Sequence, residues 1–261
     1  MLIETAFLKL PELLLSNFDH GAEVESTIVH LFGSALQMEL NARNISRPSV
    51  SVLAEKPYDR MPGDKKVVRA DLGVDLTSAI QLDARMLTYG VRPKNWFELK
   101  APFSTRRRSP ATLRPDSLAR DCLRLCLLPE QLQGPSTGTE TGRYLLWVLD
   151  SEPSASLART PFGRVLRLGE DGVDITAGPF SLKASTRTLA FEPGSQDAPK
   201  PLFWGYLVRI GRFSVGAAGR SFTAEDRLGT GFTRDSLDQL RALRELFLAE
   251  EEQEELDAPE P

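Results

Sequence analysis

One run constrains the fold of this chain more than any other. RYLLWVLD, residues 143–150, is apolar at every position between its two charged ends. A strand whose two alternating faces are both apolar is buried on both, the condition of a central strand in a covered sheet. The preceding elements agree. Across residues 22–42, Val24, Ile28, Leu31, Phe32, Ala35 and Met38 recur at spacings of three and four, a helical pattern. Asp19 is its expected N-cap, and Pro48 lies beyond its end. Val50, Val52 and Ala54 alternate with polar neighbours, and residues 57–62 read as a turn.

In the next run, Val68, Ala70, Leu72, Val74 and Leu76 occupy one face, with Arg69, Asp71, Gly73 and Asp75 on the other. That period of two is a strand. NWFELKAPF gives a shorter one, and residues 116–132 read as a helix with Leu118, Cys122, Leu125 and Leu128 on one stripe. The order is helix, three strands, helix, strand, which predicts an α/β core with a mixed central sheet flanked by helices.

The remainder predicts a β-rich portion. GRVLRLG, VDITA, SLKAST, RTLAF and WGYLVRIGRFSV read as strands between Gly/Pro-rich turns such as EPGSQDAPKP. A final helix is expected at about 234–249, with Leu237, Leu240, Leu243 and Phe247 as its apolar line. The boundaries are therefore a core at 1–150, a β-rich extension with its helix at 151–249 packed on that core, and a disordered acidic tail at 250–261.

Charge distribution says more than its total. The chain carries −4, but residues 250–261 hold seven acidic side chains and no basic one, which leaves +3 for everything before them. Residues 92–124 hold nine Arg or Lys against three Asp or Glu, including Arg106, Arg107, Arg108 and Arg114. Such a cluster attracts polyanions. No stretch reaches the roughly 18 apolar residues of a membrane span, and the apolar opening residues lack a basic leader and contain Glu4, Lys9, Pro11 and Glu12. A cytoplasmic location is expected. The two cysteines, Cys122 and Cys126, read as core thiols, since the only histidines are His20 and His30. Gly229-Thr230-Gly231 reads as a turn, because no Lys-Ser/Thr follows it. Trp96, Trp147 and Trp204 read as core residues.

Strand alternation places Glu98 and Lys100 on one face, opposite Phe97, Leu99 and Ala101. Burying such charges is costly unless they are paired. A hard divalent cation offsets that cost, because it favours clustered carboxylates. Asp71, on a neighbouring strand, supplies a second carboxylate. Asp75 shares its face and Asp83 stands closer in sequence, so either is an alternative acidic position. Carboxylates holding an ion beside an amine are the parts phosphodiester hydrolysis needs: the ion polarises phosphoryl oxygen and acidifies water, and the amine favours developing negative charge.

These residues carry a resemblance. The element order, the run Arg69-Ala70-Asp71-Leu72 and the run Trp96-Phe97-Glu98-Leu99-Lys100 are similar to the core of the PD-(D/E)XK nuclease superfamily, over roughly residues 20–150. The resemblance implies a restriction-endonuclease-like fold and Mg²⁺- or Mn²⁺-dependent cleavage of nucleic acid, DNA before RNA, in restriction or antiviral defence. It implies Asp71 and Glu98 as metal ligands, Lys100 as assistant to the nucleophile, and a first-helix glutamate, for which Glu25 is the candidate because it lines up with Val29, Phe32 and Leu36. Arg106, Arg107 and Arg108 would contact nucleic-acid backbone, and a homodimer or a partner protein of a defence complex is a further expectation. Ala70 replaces the nominal proline, and the 27-residue separation of Asp71 from Glu98 requires an insertion. The Gln/Tyr motif of the RecB-like branch is missing from DSLARDCLRLCLLPEQL. The alternative is a catalytically inactive subunit of the same fold that binds nucleic acid or a partner. An interaction protein working through its final helix is a third reading.

Overall fold

A computed structural model describes residues 1–17, 24–45, 51–57, 69–77, 91–101, 115–127, 141–153, 159–168, 172–192, 203–224 and 233–257. In chain order its elements are α1 (Leu2–Asn17), α2 (Val24–Ala42), β1 (Val52–Pro57), β2 (Arg69–Asp75), β3 (Lys94–Lys100), α3 (Pro115–Cys126), β4 (Thr141–Leu149), α4 (Pro161–Leu168), β5 (Gly172–Ala177), β6 (Phe180–Phe191), β7 (Trp204–Ala217), β8 (Arg220–Ala224) and α5 (Arg234–Asp257). The eight strands form one mixed sheet in the order β1-β2-β3-β4-β7-β6-β5, with β8 also on β7. Only β3 and β4 are parallel; the other pairings are antiparallel. The β-rich portion therefore continues the sheet through the β4–β7 pairing.

Strand β4 alternates between two cores. Tyr144, Leu146 and Val148 face α1 and α2, joined there by Leu72, Phe97, Leu99 and Leu207. Leu145, Trp147 and Leu149 face the other way, towards Leu118, Cys122 and Leu125 of α3, Val165 of α4, and Leu240, Leu243 and Phe247 of α5. The chain is thus a helix–sheet–helix sandwich with β4 buried on both faces. Phe97 stacks on Tyr144 at 4.8 Å and meets Phe32 of α2 edge-on at 5.4 Å. Trp96 and Trp147 are buried, and Trp204 packs against the same core as Trp147.

Five elements differ from the sequence reading. The opening residues form α1, whose Leu2, Ile3, Ala6, Phe7, Leu10 and Leu14 are buried at helical spacing. Residues 163–168 of the run GRVLRLG lie in helix α4 rather than a strand. Thr160 caps it, its Oγ1 accepting the Gly163 N–H at 2.9 Å, and Pro161 occupies the first turn, where its missing N–H costs nothing. SLKAST and RTLAF are one strand, β6, interrupted only by a register shift between Ala184 and Thr186, and β8 was not anticipated. The acidic segment extends α5 to Asp257 instead of starting a disordered tail at residue 250. Glu and Gln are good helix formers, and Glu251 is tied to α3 by Arg124 at 2.5 Å. Residues 258–261, like Asp19, Pro48 and residues 229–231, lie outside the described residues.

Truncating Phe32 to alanine empties the contact between α2 and β3. Its expected cost is about 3–5 kcal/mol, read as a lower urea midpoint at unchanged m-value.

Candidate active site

Strands β2 and β3 pair with Leu72 opposite Phe97 and Gly73 opposite Trp96. One residue further the ladder gives way to a side chain: Asp71 Oδ2 accepts the Leu99 N–H at 2.6 Å. Alternation sets Asp71, Glu98 and Lys100 on the face that α3 covers. Glu98 is only 2% exposed. A carboxylate so deep needs cationic or hydrogen-bonding partners.

Helix α3 supplies one of them. While Leu118, Cys122 and Leu125 pack into the core, Asp121 and Arg124 reach β3. Arg124 Nη1 stands 3.6 Å from Glu98 Oε2 and 3.4 Å from Asp121 Oδ1, and Lys100 Nζ stands 3.7 Å from Asp121 Oδ2. Asp121 Oδ2 is buried and has no hydrogen-bond partner. From the opposite layer, α2 brings Glu25 to the end of β3, where the Ala101 N–H donates to its carboxylate. Buried Val29, Phe32 and Leu36 below it fix that side of the helix.

The charges act on one another. Burial alone would push the Lys100 ammonium towards neutrality, but Asp121, Glu25, Asp71 and Glu98, in that order, outweigh it and raise its pKa. Lys100 is therefore a permanent cation and hydrogen-bond donor, not a base. Asp121 is pushed up to about 6, chiefly by burial, against the opposing pull of Lys100 and Arg124. Glu25 is also raised, first by desolvation and then by Asp71, although Lys100 and the Ala101 N–H pull the other way. Its side chain still keeps an exposed surface, so this desolvation is partial. Cys122 and Cys126 are free and buried; burial raises both thiols, Cys126 to about 12, and leaves them inert.

The structure thus brings Asp71, Glu98, Lys100 and Glu25 to one corner. Asp75 does not join them. It closes the end of β2, its Oδ1 accepting the Thr77 N–H at 3.1 Å and the Thr77 hydroxyl at 2.5 Å. Asp83, Arg106, Arg107 and Arg108 lie outside the described residues. The sequence reading passed over Asp121, Arg124 and Glu251. A signal for Asp121 was present: it falls on the stripe of Leu118, Cys122 and Leu125, where a charge requires a partner.

Compared with protein-family models, curated proteins and solved structures, the chain matches none. Among the described residues no three Asp, Glu, His or Cys groups stand in metal-ligating geometry. The hard oxygens of Asp71 and Glu98 suit the coordination magnesium favours, one or two carboxylates completed by water and substrate phosphate.

Asp121 makes stability depend on pH. Its folded pKa lies above its ordinary 3.8, so the folded state binds the extra proton, and stability falls as pH rises from about 4 to about 6. The displacement corresponds to roughly 3 kcal/mol. Asp121→Asn removes the burden: its Tm relative to the parent should climb across that window and level off above it, as thermal melts at fixed ionic strength will show.

Proposed function

We propose that this protein is a metal-dependent phosphodiesterase of the restriction-endonuclease-like kind, acting on nucleic acid and on DNA in preference to RNA. The observation that carries the reading is the convergence of Asp71, Glu98 and Lys100 where β2 and β3 part, with Glu25 delivered to the same corner by α2. The element order α2-β1-β2-β3-α3-β4, with a parallel β3–β4 pair bridged by α3, supports it.

Asp71 and Glu98 would hold Mg²⁺ or Mn²⁺, which when bound polarises phosphoryl oxygen and acidifies water. The chain's own residues do the rest. Asp71 is held by the Leu99 N–H, which donates to one of its carboxylate oxygens, so the carboxylate would meet an ion already oriented. Lys100, kept protonated by its carboxylate neighbours, donates to the attacking water or to a phosphate oxygen and favours the charge that develops there. Glu25, raised towards neutrality at the exposed rim, can receive a proton from that water.

The expected outcome is cleavage of plasmid or single-stranded DNA that requires Mg²⁺ or Mn²⁺. It should fall at least 100-fold in folded Glu98→Ala and Lys100→Ala variants, since a developing charge loses several kcal/mol of stabilisation. Cleavage that persists in both removes the proposal.

One observation favours a second reading, a nuclease-fold subunit without catalysis. Arg124 Nη1 already lies 3.6 Å from Glu98 Oε2 and supplies positive charge where an ion would sit. Calorimetric titration with Mn²⁺ separates the two. Binding that Glu98→Ala abolishes supports the phosphodiesterase; no binding in the parent, together with no cleavage, supports the inert subunit.

A further inference from the structure

Arg124 stands between an inner carboxylate on the sheet and an outer one on the last helix. It occupies the final turn of α3, one turn after Asp121. Its Nη2 donates to Glu251 Oε1 of α5 at 2.5 Å, and its Nη1 donates to Asp121 Oδ1 at 3.4 Å. Glu98 Oε2 lies 3.6 Å from the same Nη1, an ion pair beyond hydrogen-bond reach. Arg124 Nε is buried and holds no hydrogen bond among the described residues. The guanidinium is therefore fastened by its tips, and most tightly to α5.

Packing holds α5 where it makes that contact. Phe247, one turn before Glu251, is buried and meets Phe180 of β6 edge-on at 5.7 Å. Residues four apart share a helix face, so the turn that seats Phe247 also presents Glu251 to α3. The two ends of the contact differ in depth: the side chains of Arg124 and Glu251 are 28% and 20% exposed, that of Glu98 only 2%. A guanidinium that moves from Glu98 towards Glu251 moves towards water, where a charge costs less to hold. It can make that move without losing its hydrogen-bonded partner. A cation arriving beside Glu98 repels it in the same direction.

We infer that Arg124 and Glu251 form a charge latch through which the C-terminal helix sets the metal affinity of the corner. Arg124 is the counter-ion that competes with a divalent cation for Glu98, and Glu251 is the outer seat that draws it away. Both are positioning residues, since neither needs to touch the ion. Without Glu251 the guanidinium has less to gain by leaving Glu98, so the cation must displace it against a higher cost. By linkage, a movement of α5 that parts Glu251 from Arg124 lowers metal affinity, and bound metal in turn strengthens the hold of α5 on α3. The inference rests on the reading of Asp71 and Glu98 as metal ligands and adds a means of regulating them.

The test is calorimetric titration of the full chain with Mn²⁺, counting only the binding that Glu98→Ala abolishes. Arg124→Gln should tighten that binding, and Glu251→Gln should weaken it, each by at least about fivefold. In the Arg124→Gln background, Glu251→Gln should change affinity by less than about twofold, because the seat has lost its occupant. Glu250→Gln removes the same charge from the neighbouring position, beside Gly178, and should leave the parent's affinity within about twofold. Glu251 lies at the rim, so Glu251→Gln and this control decide the matter even where Arg124→Gln fails to fold. Unchanged affinity in Glu251→Gln, or an equal loss from Glu251→Gln with and without Arg124 or from Glu250→Gln, overturns the latch and leaves the metal site standing. No Glu98-dependent binding in any folded chain overturns both. The expected pattern in chains that cleave no DNA in Mn²⁺ supports the latch and counts against the phosphodiesterase reading alone.

Discussion

A strand apolar on both faces cannot lie at a surface, and the rest of this structure follows from meeting that demand at β4. Tyr144, Leu146 and Val148 require one helical layer, and Leu145, Trp147 and Leu149 require another. Placing β3 parallel to β4 in turn requires a long connection that crosses one face of the sheet, which is how α3 comes to lie there. The apolar stripe of α3 covers Trp147. Its two charged residues, Asp121 and Arg124, are thereby set over Glu98 and Lys100.

The charge cluster at that corner is a consequence of packing. Glu98 and Asp121 are almost fully buried, and burial by itself would neutralise both. Lys100 and Arg124 oppose this, with Glu251 of α5 holding Arg124 from its outer side. Burial still prevails at Asp121, whose pKa rises to about 6, whereas at Lys100 four acids overcome it and keep the ammonium charged. The last helix enters the balance through Glu251, which joins the C-terminal segment to the corner although no strand of the β-rich half contributes a carboxylate there.

The two halves of the sheet divide the charged chemistry. The half built on β1 to β4 brings acids together beside one lysine, while β6 of the other half exposes Lys183 and Arg187. No helix among the described residues is long and apolar enough to cross a membrane.

By itself the sequence determined what local periodicity and alternation can determine. Period two assigned Asp71 to one face of β2 and put Glu98 beside Lys100 on β3; spacings of three and four marked α2 and set Glu25 in line with Val29, Phe32 and Leu36; continuous apolar content marked β4. It misread α4, since a short helix with a threonine cap and an early proline looks like a strand when only apolar content is weighed. It also ended α5 too soon, because a run of glutamates resembles a tail until a distant arginine binds one of them. Tertiary structure alone decided that Arg124 faces Glu98, that Asp121 faces Lys100, and that Arg187 stands opposite Arg209. Those neighbours are far apart along the chain, and only strand register and the crossing of α3 bring them within reach of one another.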